Sequence, residues 1–285
     1  MIDILFINPG QGNNYQGLPA HAPAIAPPTW ILLLADYCRR NGHEVAIYDA
    51  NIEGWTVEGS TARDVLSFIN PGLVVIWVAG HNPSASTQTM PIAGMIARDL
   101  KMADRDIPIA MGGVHPSALP ERTLREEKID YVIIGEGFWT ISELMEAKNK
   151  DRDHSLVPGL RYKTNLAFFA PAMSVDPEAD LHGYAWDLLE GGLDAYRCHD
   201  HHVFQDVGQG RSPYATIFMS LGCKWAACSF CVTPGFFGRG KVRYWSPETV
   251  VRWIDELVGK HGVRNIRIED DNCLLDIKRV EAMCD

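Results

Sequence analysis

The run Gly222-Cys-Lys-Trp-Ala-Ala-Cys-Ser-Phe-Cys231 places three thiols within nine residues, spaced C-x4-C-x2-C, straight after an apolar segment, Tyr214–Ser220, that reads as a strand. Three thiolates on one loop can hold three irons of a four-iron cluster and leave the fourth iron open, the state a reactive cluster needs. Zinc is the competing ion. A structural zinc site wants four closed ligands, and the fourth would have to be Cys273, a distant histidine or a cysteine outside this sequence. Plain packing of cysteines ranks last, because Lys224 and Ser229 sit among them. Cys223, Cys228 and Cys231 are therefore the metal candidates, with a cluster preferred to zinc. A second group, Glu269-Asp-Asp-Asn272, follows another strand signal at Arg264–Ile268 and doubles as an acidic cap of the next helix. A third, His199, His201 and His202, lacks a complementary ligand group and reads as a solvated loop rather than a metal site.

Composition narrows the setting. The 285 residues carry a net charge of −10 and no Lys/Arg block, which argues against a nucleic-acid partner, since phosphates demand a basic footprint. The most apolar run, Trp30–Ala35, is far shorter than the roughly 20 residues of a membrane span. Asp3 occupies the place where a signal peptide would be basic. Seven cysteines are too few for a disulfide scaffold in this length. These features point to a cytoplasmic protein without a membrane segment.

The elements that must position the candidates alternate through the first half. Strand signals at Ile4–Ile7, Val45–Tyr48, Leu73–Val78, Ile107–Met111 and Tyr131–Ile134 alternate with helical patterns at 28–41 and 88–102. On the first helix, Trp30, Ile31, Leu34, Tyr37 and Cys38 form one stripe. This is α/β patterning, a doubly wound parallel sheet whose ligands bind beyond the carboxyl ends of the strands. The loops expected there are rich in Gly, Asn and Ser: Asn8–Asn14, Asp49–Gly54, Gly80–Thr87, Gly112–Ser117 and Gly135–Gly137. Glycine would let the backbone approach a bulky ligand. A single such loop is an ordinary tight turn; five on one edge favour a ligand site.

Residues 150–213 lose the periodicity and read as a connector with a small hairpin, 159–163 against 166–169. From Tyr214 a strand, the cysteine loop, a helix and a second strand follow. Ser246, Pro247 and Glu248 open that helix as N-cap, N1 proline and first-turn acid, Gly262 stops it, and Val250, Trp253, Ile254, Leu257 and Val258 form its apolar stripe. The expected domains are 1–149, a connector 150–213, and 214–285. Two strands cannot close a barrel, so the last unit is expected to be the start of a larger (β/α) barrel and the chain a fragment of a longer protein.

Taken together, Gly222-Cys…Cys-Ser-Phe-Cys231 after a strand, Gly238–Arg243, Ser246-Pro-Glu248 and Glu269-Asp-Asp-Asn272 resemble the first third of a radical S-adenosylmethionine (SAM) barrel. The N-terminal half, with Gly112-Gly-Val-His-Pro-Ser117 and Gly135-Glu-Gly137, is similar to the Rossmann-like cobalamin-binding domain of the cobalamin-dependent radical SAM family. The resemblance implies that the three cysteines hold a four-iron four-sulfur cluster whose open iron is chelated by SAM. It implies Phe230 near the adenine and Glu269, Asp270 and Asp271 near the SAM amino group, with Asp270 preferred. Cobalamin contacts are implied at Asn51, Gly54, Gly80, Ser84, Gly112, Gly113, Gly135, Glu136 and Gly137. Asp49-x-Asn51-x-x-Gly54 has the spacing of the Asp-x-His-x-x-Gly motif of cobalamin-dependent mutases, with Asn51 where the cobalt-ligating histidine would stand. Cobalt would then lack a lower imidazole, and His115 is expected on backbone or solvent. The family spaces its first two cysteines by three residues; here there are four, so one residue must bulge. By resemblance the reaction is methylation of an unactivated carbon of a small molecule, with flavodoxin or ferredoxin as electron donor. The alternatives are radical cyclisation of the anaerobic porphyrin-ester cyclase type and a non-catalytic cofactor-binding module.

Overall fold

Continuous apolar runs are what strands buried on both faces require, and they form the centre of the computed structural model. The structure describes residues 2–10, 24–56, 60–79, 83–163 (side chains of 83–85 excepted), 172–199, 210–237, 242–272, 274 and 276–285. Strands β1 (Ile4–Asn8), β2 (Val45–Asp49), β3 (Leu73–Val78), β4 (Ile109–Gly113) and β5 (Tyr131–Ile133) are parallel, and β6 (Leu160–Tyr162) closes the edge antiparallel, in the order β2-β1-β3-β4-β5-β6. Helices α1 (Thr29–Arg40), α2 (Ser60–Ile69), α3 (Pro83–Ala103), α4 (Val114–Ala118), α5 (Pro120–Glu126) and α6 (Phe138–Asn149) complete this doubly wound unit. The order reverses between β1 and β3, and the crevice of such a sheet opens at that switch, beyond the strand ends.

One sequence expectation changes here. β4 ends two residues later than its apolar run, so Gly112 and Gly113 are strand residues in register with Trp77 and Val78, and 114–118 is helical rather than loop. The stretch 160–162, the first arm of the expected hairpin, forms strand β6. It covers the free edge of β5, with Tyr131 opposite Tyr162, while 166–169 lies outside the described residues.

The connector supplies a short helix α7 (Pro177–Asp180) and 3-10 turns at Trp186–Leu188 and Gly192–Ala195. It packs Tyr184, Trp186, Leu193 and Tyr196 into one hydrophobic core that runs from a face of the six-stranded sheet to the last unit. This explains why α1 buries Leu32, Leu33 and Ala35 beyond its expected stripe: it is covered from two sides. The last unit contains β7 (Tyr214–Ile217), β8 (Ser220–Leu221), α8 (Thr233–Phe236), β9 (Arg243–Tyr244), α9 (Pro247–His261), β10 (Asn265–Ile268) and α10 (Ile277–Cys284). β7 and β10 are parallel neighbours joined through α9, and β8 and β9 pair antiparallel around the cysteine loop. α9 begins as its sequence requires, with Ser246 Oγ accepting the Thr249 N–H at 3.2 Å, and ends at Gly262 with φ 63°. Val250, Trp253 and Leu257 are buried, but Val258 is exposed. Among the described residues no helix is long and apolar enough to cross a membrane.

Candidate active site

Where β1, β2 and β3 end, Asn8, Asn51 and Ala79 face a cavity of about 100 Å³ that Thr29, Trp30, Trp77, Phe218 and Glu269 also line. A second cavity of about 300 Å³ shares Trp30, Trp77, Ala79, Phe218 and Glu269 and extends to Val114, Phe236, Phe237, Arg267, Asp270 and Asp271. The two are one cleft. Its floor is the carboxyl edge of the six-stranded sheet at the switch between β1 and β3, and its other wall is the end of β10. Thus Asn51 and the Glu269–Asp271 carboxylates, read from segments more than 200 residues apart, meet at one site.

The aromatic residues of the cleft were not legible as a group. Trp30 sits at the centre, with ring centroids of Phe138, Phe218, Phe237 and Phe236 at 5.2, 5.4, 5.5 and 5.8 Å. Its indole N–H donates to the Glu136 carbonyl at 3.0 Å. No local spacing marks these residues, which converge only in the tertiary fold.

Several glycines proved to be packing residues. A Cβ on Gly112 or Gly137 would run into the Trp77 ring, and one on Gly113 (φ 111°) into the Val78 carbonyl. The ring of Trp77, not an open cradle, takes that space. A Cβ on Gly54 (φ 76°) would meet nothing within 4 Å, and one on Gly135 (φ 76°) would have Ala172 Cβ as its nearest neighbour, at 3.1 Å. Gly80 and the Ser84 side chain lie outside the described residues. Glu136, expected at cobalamin, is 2% exposed and paired with Arg243. Burial still holds its carboxyl above the usual range, with Arg243 opposing.

Asp49 is also committed within the protein. Its carboxylate accepts Asn8 Nδ2 at 2.8 Å, the Asn51 N–H at 2.9 Å and the Tyr196 hydroxyl at 2.9 Å. Burial raises its pKa although these bonds oppose the shift. Tyr196, from the connector, is a partner that the sequence did not reveal. Among the described residues that line the cleft there is no histidine. His115 instead meets Thr87 Oγ1 at 3.0 Å beside another cavity, and His199 Nδ1 accepts the Ala24 N–H at 3.2 Å. His201 and His202 lie outside the described residues.

Of the three acids after β10, Asp270 is the most occupied. It accepts Met219 N–H at 2.7 Å, Ser220 N–H at 3.1 Å and Ser220 Oγ–H at 2.5 Å, which ties β10 to the base of the cysteine loop. The expected preference for Asp270 as the SAM contact therefore shifts to its neighbours. Glu269 meets Arg267 Nε at 3.5 Å, and among the described residues Asp271 accepts one side-chain bond, from Thr233 Oγ1 at 3.3 Å. Desolvation raises the pKa of all three.

The cysteine loop lies on the other side of Phe236. Cys228 and Cys231 line a cavity of about 360 Å³ with Ser117, Ala118 and Phe236, and the Cys231 N–H closes a turn on the Cys228 carbonyl at 3.2 Å. Cys223 does not line it. Between the first two cysteines the backbone turns at Ala226, with φ 44°, and Phe230 projects outward, 92% exposed. It is not among the residues that line the cleft. All three thiols are free. Among the described residues no three His, Cys, Asp or Glu gather tightly enough for a single metal ion, and Cys273 is not described. Three thiols on one loop are the donor set of a cluster, which spreads thiolates over separate irons. For cobalamin, the strand edge at Asn8, Asn51 and Ala79, where β1, β2 and β3 end, is the place that a ligand of such a sheet takes.

Comparison with known proteins agrees with this geometry. Residues 15–145 match the B12 binding domain family. The chain carries a B12-binding domain. It is 29% identical over 259 residues, 89% of its length, to an uncharacterized methyltransferase of Pyrococcus horikoshii, covering 50% of that protein. It is 26% identical over 249 residues, 86% of its length, to the anaerobic magnesium-protoporphyrin IX monomethyl ester cyclase of Synechocystis sp., covering 45%. The chain thus spans about half the length of these curated relatives. The B12-binding domain and the unit that follows have, as a whole, the fold of cobalamin-dependent radical SAM enzymes. The methyltransferase TsrM of Kitasatospora setae, solved with tryptophan and a SAM analogue, superposes with TM-score 0.70 at 20% identity over 99% of this chain and 50% of its own. OxsB, solved with aqua-cobalamin, gives 0.73 at 18% identity over 100% of this chain and 37% of its own.

Proposed function

We propose that the chain forms the cofactor-binding part of a cobalamin-dependent radical SAM enzyme that methylates an unactivated carbon of a small molecule. The observation that carries this reading is the convergence on one cleft of the B12-binding sheet edge and the carboxylates after β10, with the Cys228–Cys231 pair just behind Phe236. When bound, the four-iron cluster would supply the electron that cleaves SAM, and cobalamin would carry the methyl group. Cys223, Cys228 and Cys231 hold the cluster through thiolates. Glu269 and Asp271 receive the SAM ammonium by charge-assisted hydrogen bonds, while Asp270 orients the strand ahead of the first cysteine. Asn51, which lines the cleft, would contact cobalamin, and the sequence resemblance adds Gly54, Gly80, Ser84 and Gly135. Trp30, Trp77, Phe218, Phe236 and Phe237 exclude water from the reacting region. We place the protein in the cytoplasm, where thiols stay reduced, with flavodoxin or ferredoxin as electron donor.

Ring formation is the second reading, favoured by three curated relatives named as anaerobic magnesium-protoporphyrin IX monomethyl ester cyclases. Anaerobic reconstitution with iron, sulfide, cobalamin and SAM separates the readings. S-adenosylhomocysteine and a methylated product support methyl transfer. 5′-Deoxyadenosine without methyl incorporation supports cyclisation. Cobalamin uptake with neither product reduces the chain to a binding module.

A further inference from the structure

The end of β5 and the hairpin that carries the cysteine loop are joined by a buried ion pair that the chemistry above leaves unused. Arg243 donates through Nη1 to Glu136 Oε2 at 3.1 Å and through Nη2 to Glu136 Oε1, and Nη1 also donates to the Val175 carbonyl at 2.6 Å. The Arg243 and Glu136 side chains are 16% and 2% exposed. On its main-chain side, Glu136 accepts the indole N–H of Trp30, one of the residues common to both halves of the cleft. Arg243 stands opposite Leu221 in the β8–β9 pair, and Cys223 follows two residues later.

A pair of two-residue strands cannot hold its own place against the molecule. It needs external tethers: Asp270 and Arg279 hold its ends to β10 and α10, and the two-pronged guanidinium–carboxylate fork, which fixes rotation as well as distance, joins it to the six-stranded sheet. A buried ion pair gives little net stability over apolar side chains of similar size, so stability alone does not call for one here. We infer that Glu136 and Arg243 are positioning residues whose fork sets the cysteine loop in register with the cleft edge of the B12-binding sheet. The inference deepens the proposed function and rests on it for the identity of the cofactors that are held in register.

The test compares the full chain with Glu136→Met/Arg243→Met, which removes both charges together, and with Glu136→Gln and Arg243→Lys. Hydrogen exchange is measured at 220–221 and 243–244 without added cofactors. After anaerobic loading, iron and cobalamin contents are determined, and electron paramagnetic resonance reads the magnetic coupling between cob(II)alamin and the reduced cluster. The double variant is expected to keep the parent melting temperature and cofactor contents. Its exchange at β8 and β9 should be about tenfold faster, and its spin coupling altered. Parent-like exchange and coupling in the double variant, with only Glu136→Gln losing thermal stability, would make the pair a structural element and overturn the inference. If the double variant does not fold, Arg243→Lys, which keeps the charge but loses the fork, carries the same comparison. If the parent takes up neither cofactor, the cofactor reading fails, and the exchange measurement still decides whether the fork holds the hairpin.

Discussion

Asp270 illustrates what a residue's type discloses and what it conceals. Three consecutive acids after a strand were legible as a site, because carboxylates crowded at a strand end serve either a cation or a helix cap. Which of them is free was not legible, since that depends on Met219 and Ser220, some 50 positions away. Replacing Asp270 by Asn puts an NH2 among three donors and leaves one acceptor. The expected cost is about 1.5–3 kcal/mol, the range for hydrogen bonds to a charged group, read by urea unfolding. Asp271→Asn, with one bond to lose, should cost less than half of that; equal costs would contradict the assignment of Asp270 as the strand tie. The cysteines were legible for the opposite reason, because their chemistry is local to nine residues. Cys228→Ala and Cys231→Ala are each expected to lose most of the iron taken up on reconstitution, as measured by iron and sulfide analysis. Retention of parental iron by either variant would exclude it as a ligand.

At the scale of elements, the doubly wound sheet, the two long helices of its first half and α9 could be read directly, because apolar period and capping residues are local signals. The Ser246 cap is the plainest case. Ser246→Ala should cost about 1 kcal/mol, with a matching fall in melting temperature. Glycine was harder to interpret, since the same residue answers to a ligand or to a neighbouring ring. Gly112 answers to Trp77, which lies beside it in the sheet. Gly112→Ala is therefore expected to destabilise the chain by about 1–3 kcal/mol through overpacking, and Trp77→Leu added to it should recover part of the loss. A Gly112→Ala variant with parental stability but weakened cobalamin binding would instead restore the ligand explanation. The pairing of 160–162 with β5 was illegible for a related reason: a short apolar segment carries no mark of whether its partner is near or distant in sequence.

Across the whole molecule, burial gathers acids at the seam between the two units. Asp49, Glu136, Glu269, Asp270 and Asp271 all have carboxyls raised by desolvation. This is a cost the fold accepts to bring charge next to the cleft, and it has a definite sign. A carboxyl whose folded pKa exceeds its unfolded value holds its proton in the native state over pH values where the unfolded chain has lost it. Its contribution to stability is fully present below the unfolded value and is lost as pH rises through the folded one. The chain should therefore become more resistant to urea as pH is lowered from about 8 towards 5. The net charge of −10 works in the same direction, because protonation also relieves repulsion, so the parent alone does not isolate the seam. Glu269→Gln does. The variant changes the overall charge by one but removes a desolvated carboxylate from the cleft wall. It should be more stable than the parent at the upper end of this range, and the two should converge as pH falls. A midpoint difference that stays constant with pH, or widens on acidification, would show that Glu269 is not held above its ordinary range by burial and that the cleft is wetter than its aromatic lining implies.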